Sequence, residues 1–286
     1  MEHWPERPRI LYSYAYVTGD QWPVPYDADV IIDSGAYTAH TTGKAVELRA
    51  YGEFLLRHAN KITFAFNLDV IGDHLGSARN HDRLRALVGD RVKIVPTWHT
   101  GSPWQEFERI CREEDYASLG GAVGIPTRQL MQYSVKAHRV AREHDTRLHG
   151  LGITSNELLL RLPWASVDSS SWVYPYRFPM VILADRDGTV VYGKTGEYPD
   201  PKHLPILRAH GIPASLVRKS FRELKAADRD AAVSRSRTLM MSAGRSYTHI
   251  EGVRRRKHPA FRVYLAASSA LQVNAARDAW EKGSPW

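Results

Sequence analysis

The chain has 286 residues, 43% apolar and 10% aromatic, enough for a sizeable core in one large α/β domain or two small ones. Its longest purely apolar runs are short, as in "MVILA" at 180–184, which excludes a membrane-spanning helix, and the single Cys111 excludes an internal disulfide and a multi-cysteine zinc site. The net charge is +8, and residues 211–258 carry the whole surplus, with twelve Lys and Arg against four Asp and Glu; the other residues hold 27 of each sign. A surplus that is both large and local, ending in Arg254, Arg255, Arg256 and Lys257, points to a polyanionic partner. The opening "MEHWPERPRI" lacks the apolar stretch of a secretory signal, so a cytoplasmic location is expected.

Hydrophobic periodicity predicts a regular alternation of strands and helices. "RILYSYAYV" (9–17) and "DVIIDSGAY" (29–37) are strands. A helix follows at about 44–58, with Val46, Ala50 and Phe54 on one face. "KITFAFNLDV" (61–70) is the third strand, followed by a polar helix at about 76–88. "RVKIVPTWH" (91–99) precedes a helix at about 103–113, and "YASLGGAVG" (116–124) precedes a helix capped by Thr127 that turns Met131, Val135 and His138 inward. "RLHGLGIT" (147–154), a short helix from Ser155 to Arg161, and "WASVDSSSW" (164–172) complete seven strands.

The rhythm breaks over 173–213, where "MVILADRDGTVVYGK" forms a hairpin turning at Asp187-Gly188. Helices at about 214–245 and a last strand, "FRVYLAASS" (261–269), with a helix after it, close the chain. Eight strands mostly separated by helices predict a (β/α)₈ barrel of one domain, residues 1–286, in which 173–258 insert a hairpin and a basic helical segment before the last strand. An open doubly wound sheet is the alternative, and it is weakened because no Gly-rich dinucleotide fingerprint or P-loop is present.

In such a barrel the chemistry lies at the C-terminal ends of the strands. There Asp33 ends the second strand, Asp69 the third, His99 the fourth and Asp168 the seventh, with Gly120 and Gly121 near the end of the fifth and His149 and Gly150 in the sixth. One such carboxylate can be a helix cap; three on separate strands, two of them followed by Ser, point towards a shared mouth. Paired carboxylates suit glycosidic chemistry, one attacking the anomeric carbon and one handling the leaving group's proton. Small neighbours, Ser34, Gly35, Ser169 and Ser170, leave room for a flat ring, and Gly120 and Gly121 let backbone groups approach its edge.

Four segments carry a resemblance. "DSGAY" resembles the Asp-Ser-Gly-Gly-Phe motif of the queuine tRNA-ribosyltransferase (tRNA-guanine transglycosylase) family, and "LGGAVGI" its Gly-Gly-Leu-Ala-Val-Gly segment. "HGLGIT" is similar to its Leu-Met-Gly-Val-Gly strand, and "SVDSSSW" stands where the family has its nucleophilic aspartate. The motifs occur in family order over about 29–172, roughly half the chain. The resemblance implies Asp168 as nucleophile and Asp33 as general acid/base. It implies Asp69 on the guanine N–H edge, backbone contacts from Gly121 and Ala122, and Tyr37 stacked on the base. His99 or Thr100 falls where the family has a glutamine.

The departures matter equally. The family's three-cysteine, one-histidine zinc site has no counterpart, and the chain is shorter than the tRNA enzymes. It therefore looks most like the compact zinc-free relatives encoded by phages, several of which insert 7-deazaguanine bases such as preQ0 into DNA. The expectation is a DNA guanine transglycosylase acting through a covalent aspartyl-glycosyl intermediate, without cofactor or metal, with a free deazaguanine as co-substrate. The basic segment, Arg254–Lys257 included, would contact the nucleic acid in place of the zinc region. Alternatives are a tRNA-guanine transglycosylase, a non-catalytic nucleic-acid-binding barrel, and a hydrolase of free nucleosides. No His-x-His or His-Glu-x-x-His occurs, though "DVIGDH" (69–74) has ligand types for a divalent ion. His138 is expected to be a core histidine, and Trp98, Trp104, Trp172, Tyr174 and Tyr176 are candidates to stack on flanking bases.

Overall fold

The structure, a computed structural model, describes residues 4–197 and 199–286. Eight parallel segments form the barrel. In chain order the strands are β1 (Arg9–Ser13), β2 (Asp29–Asp33), β3 (Phe64–Phe66), β4 (Ile94–Val95), β5 (Thr97–His99), β6 (Tyr116–Gly120), β7 (Arg147–Gly150), β8 (Ser166–Ser169), the hairpin pair β9 (Met180–Ala184) and β10 (Val190–Lys194), and β11 (Arg262–Ala267). Pairing runs β4-β3-β2-β1-β11-β8-β7-β6-β5, all parallel, so the two ends of the sheet are halves of one segment split at Pro96. Proline has no N–H to give to a ladder. The break is patched from β3's side: Asn67 Oδ1 accepts from Thr97 N at 2.9 Å, while the Pro96 carbonyl still accepts from Ser118 N at 2.8 Å.

Both faces of this sheet are covered, as the unbroken apolar runs require. Ile10, Val30, Ile32, Ala65, Trp98, Leu119, Leu148 and Val167 turn outward and pack under the helices. Leu11, Ile31, Phe64, Phe66, Val95, Tyr116 and Tyr264 fill the interior. The barrel is thus a packed core, and only its two ends are open to chemistry. The predicted strands are right in place but too long. The second strand stops at Asp33 and a helix starts at Ala36, and β3 covers only Phe64–Phe66.

Two helix faces differ from expectation. Helix Leu48–Arg57 buries Tyr51, Phe54 and Leu55, while Ala50 is exposed and Val46 lies outside the helix. Helix Thr127–Glu143 buries Leu130, Ser134, Ala137 and Ala141; Val135 is exposed, and Pro126, not Thr127, holds the cap position. His138 packs edge-on against Trp164 with ring centroids 4.5 Å apart, and burial pushes its pKa down to about 4.

The hairpin turns as expected at Asp187-Gly188, and Gly188 takes φ +82°. It packs on a 27-residue helix, Arg229–Arg255, longer than predicted, over a small apolar cluster that includes Leu183, Ile206, Leu207, Val217 and Leu239. Asp228 caps that helix, accepting from Asp230 N and Ala231 N. No helix among the described residues is long and apolar enough to cross a membrane.

Because this helix leads directly into β11, it starts at the C-terminal end of the barrel and finishes at the N-terminal floor. Its penultimate turn carries Glu251, fully buried, which accepts from Arg9 Nε at 2.8 and 3.0 Å and from Val263 N at 2.9 Å. Arg9 also bonds Asp29, and Asp29 accepts from Thr63 Oγ1 at 2.6 Å and Tyr264 OH at 3.2 Å. Removing one partner of such a cluster strands the other charges in low dielectric. Arg9→Met is therefore expected to cost about 3–5 kcal/mol of unfolding free energy in urea titrations; a loss under about 1 kcal/mol would mean that this floor is not a buried ion cluster.

Candidate active site

At the opposite end of the barrel Asp33, Asp69 and Asp168 face one mouth. Asp33 is the last residue of β2, level with Ser13 of β1. Gly35 N donates to Asp33 Oδ2 at 3.1 Å. That bond needs the tight turn after the strand: Gly35 has φ +83°, and a Cβ there would lie 2.5 Å from Ala15 Cβ. Ser13 Oγ forms no hydrogen bond of normal geometry, yet it lies close enough to favour the ionised carboxylate. Loss of water dominates, however. Burial first, then the charges of Asp69 and Asp168, push the Asp33 pKa up to about 7. Among the described residues no Lys or Arg pairs with Asp33 to offset them.

Asp69 follows β3. Its Oδ1 accepts from Ser34 Oγ at 3.3 Å and its Oδ2 bonds His99 Nε2 at 2.5 Å. Behind Asp33 and Asp69 stands fully buried Tyr51, whose hydroxyl donates to the Phe66 carbonyl at 2.9 Å.

Asp168, in β8, is 6% exposed. Gly152 N donates to its Oδ1 at 2.9 Å, and His149 Nε2 reaches the same oxygen at 3.2 Å. His149 Nδ1 lies 2.5 Å from Ser166 Oγ, which lies 2.6 Å from Tyr116 OH. The imidazole donates Nε2–H to Asp168, and Nδ1, Ser166 Oγ and Tyr116 OH continue the chain of hydrogen bonds behind it. Phe66 and Phe64 pack on the ring, with centroids 4.9 and 6.2 Å away. Both contacts on Asp168 fall on Oδ1, which leaves Oδ2 for the mouth.

Several residues expected at a substrate do other work. His149 is 0% exposed and holds Asp168, so it does not line the mouth. Gly150 exists for packing: a Cβ there would lie 2.6 Å from Ile153 Cγ1 and 3.1 Å from Trp164. Ser34 is fully buried and spent on Asp69, and Gly35 shapes the turn. The Gly120 carbonyl accepts from Thr100 N at 3.1 Å and the Gly121 carbonyl from Thr100 Oγ1 at 2.7 Å, so the carbonyls on that edge are already engaged. Gly121 itself is exposed and Ala122 half-buried at the rim, as is Tyr37, 55% exposed, in the first turn of helix Ala36–Thr42. His99 stays at the mouth, bound to Asp69.

The basic tetrad is misplaced for a mouth contact. Arg254 to Lys257 end the long helix at the barrel floor, the end away from the carboxylates. Arg254 donates to the Leu160 and Leu162 carbonyls at 2.6 and 2.8 Å, and Arg255 lies 3.7 Å from Glu251; Arg256 and Lys257 remain exposed. Lys219, Arg222, Lys225 and Arg229 are exposed at the start of the same segment, before the long helix descends to the floor. Trp98 and Trp172 are buried and cannot stack on a base, whereas Tyr174 and Tyr176 are exposed. Asp73 of "DVIGDH" caps a helix, accepting from Gly76 N at 2.8 Å. Cys111 is buried, and burial pushes its thiol up to about 11.

Sequence reasoning missed Gly152, Ser166 and Tyr116. The one available signal was the Gly-Leu-Gly after β7, whose second glycine takes φ +66° and turns its N–H onto Asp168. No protein-family model matches the chain, and no curated protein matches it.

A carboxyl whose pKa rises on folding favours the fold while protonated. The Asp33 contribution is thus complete below its ordinary pKa of 3.8 and is lost as pH rises through about 7. Melting temperatures of the wild type are expected to fall relative to Asp33→Asn between about pH 4 and 7, then run parallel above. Parallel curves throughout would show an ordinary, solvated Asp33.

Proposed function

We propose that the chain is a base-exchange transglycosylase: it replaces guanine in a nucleic acid, DNA by preference, with a 7-deazaguanine base through a covalent aspartyl-glycosyl intermediate. The observation that carries this reading is the division of labour between two carboxylates in one mouth. Asp168 is fixed through one oxygen by a backbone N–H and a buried imidazole. Asp33 pairs with no Lys or Arg among the described residues, and its pKa is pushed up to about 7. A held carboxylate with one free oxygen suits a nucleophile; a carboxyl half-protonated near pH 7 suits a group that gives and takes a proton in turn. The motif resemblance supplies the base and the sugar.

In the first step Asp168 Oδ2 attacks C1′, the C1′–N9 bond breaks, and the electron pair leaves with guanine, which takes the Asp33 proton. In the second, the incoming deazaguanine gives its N9 proton to Asp33, attacks C1′ and expels Asp168. Two inversions give retention, and one glycosidic bond is exchanged for another, so no energy source is needed. Asp69, oriented by Ser34 and His99, presents carboxylate to the N–H edge of either base. Flipping the nucleotide out of a duplex costs a few kcal/mol, which base and phosphate contacts must offset.

The test is release of labelled guanine from duplex DNA or tRNA on addition of preQ0. Release from DNA is expected, abolished in Asp168→Ala and strongly reduced in Asp33→Ala. Release from tRNA alone would reassign the substrate, and release from neither would end the proposal. The rate should fall on the alkaline side of about pH 7 as Asp33 loses its proton.

His149→Ala is a separate expectation. It should lower kcat roughly 10- to 100-fold with little change in KM, because it frees the orientation of Asp168 without touching substrate. A change confined to KM would instead put His149 against the base.

A further inference from the structure

A cleft of about 340 Å³ opens between the chain that follows β8 and the first turns of the helix Arg229–Arg255. Tyr176, Phe178 and Phe221 give it aromatic walls, and among the described residues its charged lining is Arg177, Arg222 and Arg235, with no carboxylate. Phe178 is 54% exposed, and Tyr176 and Phe221 are also exposed. Arg235 is the unusual member. It is 3% exposed, forms no ion pair among the described residues, and spends one Nη on the Lys219 carbonyl. Its Nε is buried without a partner, and its guanidinium carbon lies 6.0 Å from the Phe221 ring centre. A buried cation is ordinarily paired, since an unpaired one bears its desolvation cost alone. An anion seated in the cleft would repay that cost, and Arg offers it a fork of donors.

The setting selects the anion. Aromatic faces beside a guanidinium suit a phosphate joined to a base rather than a bare ion. Exposed Lys219 and Lys225 lie close by in the chain, with exposed Glu223 between them accepting from Ser220 N at 2.7 Å. The cleft is also built directly after the strand that carries Asp168, at the mouth end of the barrel. We infer that it binds a phosphodiester of the nucleic-acid strand flanking the target nucleotide, with Arg235 on the phosphate and the neighbouring base against Phe221 or Phe178. The choice of a nucleic acid rests on the base-exchange reading; the need for an anion rests on Arg235 alone.

The test is anisotropy of a fluorescein-labelled single-stranded DNA dodecamer across a salt series, with inorganic phosphate as competitor. Arg235→Met is expected to weaken binding roughly tenfold or more and to flatten the log–log salt slope by about 0.7, the value for one phosphate on a single strand. Its melting temperature should hold or rise, because the wild-type cation has no carboxylate partner to lose. Arg177→Ala/Arg222→Ala, at two exposed positions, should weaken binding without altering melting, and it decides the matter if Arg235→Met does not fold.

Wild-type affinity in both variants, no binding by the wild type, or binding of phosphate but not of the dodecamer would overturn the inference. Guanine release with unaltered KM in Arg235→Met would also overturn it, while leaving base exchange intact. Loss of dodecamer binding in these variants, with no guanine release from any nucleic acid, would uphold the cleft and remove base exchange.

Discussion

Three carboxylates share the mouth of this barrel, and among the described residues their only basic side-chain partners are two histidines. Nearly everything else at that end of the molecule follows from that constraint. Negative charges brought together out of water must be held by hydrogen-bond donors or must keep a proton. Asp168 takes the first course, through Gly152 N and His149. Asp33 takes the second, with its pKa near 7. Asp69 is held by a hydroxyl and an imidazole. The left-handed glycines at 35 and 152 are part of this solution, because each aims a backbone N–H that no other residue type delivers as cheaply in that conformation.

The opposite end solves the same problem the other way. Glu251 is buried and Asp29 half-buried, but Arg9 lies between them, and Thr63, Tyr264 and Val263 N donate to their oxygens as well. Burial pushes the Glu251 pKa up, and Arg9 and Val263 N beside it pull the other way. The cluster fixes the long helix against β1 and β11, which in turn fixes where that helix begins, at the mouth. One end of the barrel is closed by charges that cancel, and the other is left with charges that do not. The contrast sets Asp33 and Asp168 apart from Asp29, which sits on the same β2 strand as Asp33 but is held by Arg9.

The barrel and its carboxylates were legible because both depend on local pattern. Apolar runs ending in Asp-Ser mark strand ends whatever the rest of the chain does, and Asp187-Gly188 marks a hairpin. Strand length was less legible, since "DSGAY" and "GGAVG" continue the apolar character past the last ladder bond. The helix face at 48–57 was misjudged by one position, because Val46 supplied the phase and lies before the helix begins. The support for Asp168 was illegible in principle. His149 and Ser166 meet because two strands happen to be in register, and Tyr116 joins them from a third. Nothing in a single sequence states that pairing.

Charge shows the limit most clearly. Summed along the chain, the twelve basic residues of 211–258 look like one surface. In the fold they divide by depth and by end. Arg254 is consumed by carbonyls on the floor, Arg245 by the Gly283 and His210 carbonyls, and Arg235 is enclosed without an anion. Lys219, Arg222, Lys225 and Arg229 are exposed, towards the start of the segment. A polyanion that enters the mouth therefore meets a narrow basic strip rather than a broad field. The mouth itself repels its phosphates, since three acids line it. The two facts are compatible with one strand geometry: backbone held along the strip and cleft, and a single base, which carries no charge and offers N–H donors, turned inward to the acids. A ligand with its phosphate directed into the mouth would have to bring its charge against Asp33, Asp69 and Asp168 together, and among the described residues no Lys or Arg pairs with these acids to receive it.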